Sequence, residues 1–148
     1  MDKIRVTKSF RFEMAHVLKD YDGPCRNIHG HSYELQVTVM GSPEDDLASP
    51  KLGMVIDFGE LKKIVNDEII DKFDHAFVMS DRMSDDFLSM TKDNFDKVVI
   101  VPYQPTSEMM LLDFVDRIKK RLPSTVSLYS MMLRETATSF AIWNADDN

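Results

Sequence analysis

The run Cys25-Arg26-Asn27-Ile28-His29-Gly30-His31-Ser32-Tyr33-Glu34-Leu35-Gln36-Val37-Thr38-Val39 carries two signals at once. Tyr33, Leu35, Val37 and Val39 are apolar at every second position, with polar Glu34, Gln36 and Thr38 between them, the pattern of a strand with one buried face. His29 and His31 fall in the apolar register. Nearer the N-terminus, Ile4, Val6, Phe10, Phe12 and Met14 alternate with charged and hydroxylic residues, and the next place in that apolar series is His16. Paired as an antiparallel hairpin, the two segments bring His16, His29 and His31 to one end of a sheet and to one side of it. Any one of these histidines, taken singly, reads as a core residue at the end of an apolar strand face. Three imidazoles converging without cysteine or carboxylate form the ligand composition of a catalytic zinc centre, with a fourth position left open. A metal so held keeps its full charge and acts as a strong Lewis acid.

With 148 residues, 43% of them hydrophobic, the chain is expected to form a single domain, 1–148, with room for a real core. No apolar run approaches the roughly 18 residues of a membrane span, and the charged start leads into alternation, so a cytoplasmic protein is expected. One cysteine forms no internal disulfide, in keeping with a reducing compartment. A net charge of −7 disfavours nucleic acid and anionic membranes as partners. An anionic small molecule requires a local basic patch, for which Lys8, Arg11, Lys19 and Arg26 are candidates, each equally readable as an ordinary solvated charge.

Downstream, Gly41 to Asp46 reads as a turn and an acidic loop. Asp57 and Glu60, at capping-box spacing, open a helix with Phe58, Leu61, Ile64, Val65, Ile69 and Phe73 at helical period. Asp74-His75 closes it, either as a carboxylate-tuned acid/base pair or as a C-terminal histidine favoured by the helix dipole. Residues 79–97 read as a polar insertion with one helical turn near Asp85 to Met90, and Val98 to Val101 as an extended run. Thr106 or Ser107 caps a second helix with the stripe Met110, Leu111, Phe114, Val115, Ile118 and Leu122, ended by Pro123. Two β-rich segments, Thr125 to Glu135 and Thr138 to Asn144, finish the chain. The expected fold is therefore α+β, a four-stranded antiparallel sheet in the order ββααββ with two helices on one face. Such a sheet has two open edges, and assembly by edge pairing is the expected way to remove them.

His16, then Cys25 followed after three residues by His29-Gly30-His31, then Asp57-Phe58, Asp74-His75, Pro105-Thr106-Ser107-Glu108 and Glu135-Thr136, resembles the 6-pyruvoyl-tetrahydropterin synthase superfamily. The likeness runs from about Phe10 to Phe140, with the motifs in the family's order. The short gap between Cys25 and His29 is similar to the bacterial 6-carboxy-5,6,7,8-tetrahydropterin synthase branch of queuosine biosynthesis. The resemblance implies a tunnelling fold, in which the sheets of several subunits close into a barrel, and a homo-oligomer, a hexamer built as a dimer of trimers. It implies Zn2+ on His16, His29 and His31, a proton-transfer set of Cys25, Asp74 and His75, and a pterin pocket in which Glu135 anchors the ring and Thr106, Ser107 and Glu108 line the wall. The implied substrate is 7,8-dihydroneopterin triphosphate, and no nicotinamide or flavin is called for. A pyruvoyl-forming synthase or another pterin lyase on this scaffold, and a non-enzymatic zinc-binding assembly module, are the competing readings.

Overall fold

The computed structural model describes residues 1–148 and places the expected hairpin at its centre. Strand β1, Ile4–His16, pairs antiparallel with β2, His29–Gly41, in unbroken register from Ile4 opposite Gly41 to His16 opposite His29. The alternation read from the sequence sets the faces: Phe10, Phe12, Met14, Tyr33, Leu35, Val37 and Val39 are all buried. Helix α1, Phe58–Val65, is capped by Asp57, whose carboxylate accepts the Gly59 N–H at 2.7 Å. It continues through a π-helical stretch, Asn66–Ile70, into a last turn α2, Asp71–Phe73.

Beyond this point the four-stranded antiparallel expectation is corrected. The sheet has six strands in the order β4-β3-β1-β2-β5-β6, and it is mixed. Strand β3, Ala76–Ser80, runs parallel to β1, and β4, Val98–Val101, runs parallel to β3. Between them lies a third helix, α3, Asp85–Asn94, capped by Ser84, where only one helical turn was expected. Parallel neighbours need a crossover connection, and α3 supplies it. Ala76 and Val78 point into the main core, so by alternation Phe77 and Met79 face the other side, where Phe77 meets Phe87 of α3 edge to face at 6.5 Å. The two long helices share one face; α3 covers the opposite one.

Helix α4, Ser107–Lys119, takes Thr106 as its cap and buries Met110, Leu111, Phe114, Val115 and Ile118. Phe114 sits at the centre of the core, edge to face with Phe73 at 4.9 Å and with Phe12 at 6.3 Å. Strand β5, Val126–Thr136, then pairs with β2, and β6, Ser139–Asn144, forms the far edge.

One irregularity in β5 governs the site. Its register with β2 shifts between Thr38 and Val39, which face Ser130 and Leu128 and leave Tyr129 as an extra residue. Before this bulge the buried positions are the even-numbered Val126 and Leu128; after it they include Met131 and Leu133, in step with Glu135. A one-residue insertion turns every later side chain to the other face. The bulge at Tyr129 thus puts Glu135 on the same face as the three histidines.

Candidate metal centre and its surroundings

At the end of the β1–β2 hairpin the ligand nitrogens of His16, His29 and His31 all lie within 4.8 Å of one another. His16 and His29 are directly opposed across the strands, and His31 stands two residues on, facing the same way. Gly30 between them has a steric reason: a Cβ there would come within 3.2 Å of the Met14 carbonyl oxygen on the neighbouring strand.

Backbone carbonyls orient the rings. His16 Nδ1 lies 2.8 Å from the Pro105 carbonyl oxygen and His29 Nδ1 lies 2.7 Å from that of Asn27. A carbonyl oxygen only accepts, so each Nδ1 carries the proton and each Nε2 is left with its lone pair. Those two Nε2 atoms approach to 2.9 Å, and with no proton between them their lone pairs repel unless a cation stands between. His31 Nε2 is buried without a hydrogen-bond partner. An imidazole held through one nitrogen by a carbonyl, with the other free, is the arrangement of a metal ligand. The donor set therefore fits a metal ion held by His16, His29 and His31.

Burial pushes the His16 and His31 imidazoles below the ordinary histidine value, so both are held neutral, as ligands must be. This has a consequence for the metal-free protein. Between the ordinary value near 6.5 and the lowered folded ones, the unfolded chain binds protons that the folded chain does not. Stability must therefore fall as pH falls through 6.5, by up to about 1.4 kcal/mol per pH unit for each imidazole. Urea midpoints of chelator-treated protein at pH 7.5 and 5.5 test this: a drop is expected, smaller in His31→Gln, and an unchanged or higher midpoint at pH 5.5 refutes it.

Glu135 closes the front of the triad, its Oε1 lying 3.5 Å from His31 Nε2 and 3.6 Å from His16 Nε2. Tyr33, absent from the candidates drawn from the sequence, belongs to this group. It is 1% exposed, stacks on Phe12 at 5.1 Å and meets the rings of His16 and His31 edge to face. Its hydroxyl is buried without a formed hydrogen bond, and burial, together with the nearby Glu135 and Cys25, pushes its ionisation far above the usual tyrosine range. The one sign of it in the sequence is a phenol among aliphatic residues, two places after a candidate ligand.

Cys25 is half-buried in a short 3-10 turn, Pro24–Arg26, whose Cys25 carbonyl accepts the Leu18 N–H. The preceding loop is stitched to the start of α4 by the Gln104 carboxamide, which accepts the Lys19 N–H at 3.1 Å and donates to the Lys19 carbonyl at 2.8 Å. Thr106 spends its hydroxyl on the helix cap, accepting the Met109 N–H; Ser107 Oγ is buried and unpartnered; Glu108 is exposed in the first turn. Of the four basic candidates only Lys19 and Arg26 remain beside the site. Lys8 lies roughly 27 Å along β1 from His16, and Arg11 points to the opposite face.

Asp74 and His75 form a pair, with 3.1 Å between Oδ2 and Nδ1. They are clasped to β1: Asp74 Oδ1 accepts the Glu13 N–H at 2.9 Å and the His75 N–H donates to the Glu13 carbonyl at 2.6 Å. The Glu13 N–H, then His75 and Lys97, hold the Asp74 carboxyl below its ordinary value. His75 has a φ of +60°, the left-handed region that non-glycine residues seldom occupy, and its side chain is 77% exposed. It faces an open cleft of about 340 Å³ that it shares with Gly30, His31 and Ser32.

The family model for 6-pyruvoyl tetrahydropterin synthase matches residues 5–146. The chain is 40% identical to the 6-carboxy-5,6,7,8-tetrahydropterin synthase of Haemophilus influenzae, covering 92% of this chain and 95% of that one. It is 32% identical to the enzyme of the same name from Aquifex aeolicus, over 94% and 96% of the two chains. Among solved structures, an uncharacterized protein from Wolinella succinogenes superposes with a TM-score of 0.74 at 19% identity, covering 98% of this chain and 99% of that one. The 6-pyruvoyl tetrahydropterin synthase of Caenorhabditis elegans superposes with a TM-score of 0.70 at 24% identity, over 98% and 97%. These two structures share the fold.

Proposed function

Because the chain belongs to the 6-pyruvoyl tetrahydropterin synthase family and is a carbon–carbon lyase of the 6-carboxytetrahydropterin synthase type, we propose that it converts 7,8-dihydroneopterin triphosphate to 6-carboxy-5,6,7,8-tetrahydropterin, releasing triphosphate and acetaldehyde, as a step of queuosine biosynthesis. The observation that carries this reading is the convergence of three imidazoles, two of them oriented by backbone carbonyls, with a carboxylate, Glu135, at their open side. His16, His29 and His31 hold Zn2+, which when bound supplies Lewis acidity toward the hydroxyls of the substrate side chain. Every proton movement then falls to the protein.

Glu135 accepts two parallel hydrogen bonds from the amino-pyrimidine edge of the pterin, the fork geometry that suits a carboxylate. Thr106, Ser107 and Glu108 lie at the start of the helix whose preceding carbonyl orients His16, so they flank the same volume; Ser107 Oγ, buried and unpartnered, has its bonding capacity free for a ligand. Cys25 removes a proton from the side chain, and His75, oriented by Asp74, delivers one elsewhere. Relocating protons reduces the ring internally, so no redox cofactor takes part. His75 is exposed at the surface, and both sheet edges, β4 and β6, are open, which supports a homo-oligomer closed by edge pairing, with the site completed where copies meet. No helix is long and apolar enough to cross a membrane; the proposed reaction, on a soluble pterin, is assigned to the cytoplasm.

The test is direct. Zinc-loaded protein incubated with 7,8-dihydroneopterin triphosphate should yield the carboxy-tetrahydropterin and acetaldehyde by mass spectrometry. A pyruvoyl product would move the chain to the other branch of its family. No pterin product from protein carrying full zinc would sink the assignment.

A further inference from the structure

Glu135 stands closer to the metal ligands than a residue that only anchors a pterin ring needs to. Its Oε1 is 3.5 Å from His31 Nε2 and 3.6 Å from His16 Nε2, and it forms a hydrogen bond with neither. His16 Nε2 is an acceptor because Nδ1 donates to Pro105. A carboxylate oxygen held 3.6 Å from this acceptor nitrogen is repelled unless a cation binds the two together. Four donors around an ion at about 2.0–2.1 Å in a tetrahedron lie roughly 3.3–3.4 Å apart, close to the separations of the Glu135 oxygen from the two histidines.

Resting on the metal reading above, we propose that Glu135 is a displaceable fourth ligand of the metal, coordinating it in the substrate-free protein and leaving it to bind the pterin edge. Two features equip it for both positions. It is the extra residue at a second bulge, where the pairing of β5 with β6 shifts between Arg134 and Thr136, so its own backbone is free of the ladder. The Tyr33 hydroxyl, buried beside it and already close to the Glu135 carboxylate, is placed to donate a hydrogen bond to it when it leaves the metal. In the exchange one dative bond to the metal is lost and the substrate side chain supplies its replacement, with no change of oxidation state. Exposed metal thus meets substrate and not bulk anions.

The experiment loads chelator-stripped wild type, Glu135→Gln and Glu135→Asp with cobalt(II) and compares visible absorption, alongside zinc affinity by competition with a chromophoric chelator. Coordination predicts that both variants change the cobalt spectrum and weaken zinc tenfold or more, since Asp keeps the charge but withdraws the oxygen by one methylene. Adding unphosphorylated 7,8-dihydroneopterin should shift the wild-type spectrum. Superimposable cobalt spectra with zinc affinities within twofold would overturn the proposal. So would an Asp variant that matches wild type, because the carboxylate would then act only through its charge. Wild type that takes up no stoichiometric metal overturns the metal reading as well; wild type that binds zinc and turns over, with superimposable spectra, overturns this inference alone.

Discussion

Cys25→Ala is expected to keep its zinc and lose turnover of 7,8-dihydroneopterin triphosphate by about 10²- to 10⁴-fold, the range for removing a positioned proton-transfer group. His29→Ala is expected to lose both. The two outcomes separate because the residues sit in different parts of one site. His29 offers an Nε2 already oriented by the Asn27 carbonyl, so its removal leaves two ligands and opens the centre. Cys25 belongs to the 3-10 turn beside the triad, tied back by the Leu18 N–H, and none of the imidazoles depends on it for orientation. Metal content by atomic absorption and product by mass spectrometry are read on the same samples. Full activity in Cys25→Ala would remove the thiol from the chemistry, and zinc-dependent folding with no effect of Cys25→Ala on any reaction would favour an assembly module.

The largest loss of stability is expected at Phe114. It is fully buried, it touches Phe73 at the end of the long helical rod and Phe12 on the central strand, and it lies in α4, whose preceding residues orient His16. Phe114→Ala removes a ring that Phe73 and Phe12 cannot collapse to replace, at a cost of about 3–5 kcal/mol. In a chain of this length that corresponds to a fall in Tm of roughly 10 °C. Phe114→Leu should recover more than half of it. A fall below 2 °C in Phe114→Ala would mean that α4 packs through its other residues and that the aromatic contacts are incidental.

The parts legible in advance were those with local periodicity. Two strands with strict alternation announced the hairpin, its register and the meeting of His16 with His29 and His31, because a side chain's face follows from its parity alone. The cap Asp57, and Thr106 as one of two candidates with Ser107, were legible because their carboxylate or hydroxyl answers the unpaired N–H groups of a helix start. Strand β3 was hidden: Ala76–Ser80 is short and is covered on both faces, so it shows no alternation, and the helix α3 that covers one face buries only Thr91 of its own residues. Without those elements the sequence pattern predicts four antiparallel strands. With them it becomes mixed, and the Asp74–His75 pair is found clasped to β1 at the start of β3 rather than serving as a free helix end.

From the chain alone came the three imidazoles and the thiol separated by three residues from the second of them, each a matter of residue type and spacing, while the acidic residue near the end of β5 came from the family resemblance. What makes them one site was decided only in three dimensions. The carbonyl that orients His16 comes from Pro105, 89 residues away, and a backbone carbonyl has no side-chain signature to read. The face of Glu135 depends on the bulge at Tyr129, which inverts the parity that alternation would assign. Periodicity carries information only along an unbroken strand; a single inserted residue erases it, and the paired strand opposite is what determines where that insertion falls.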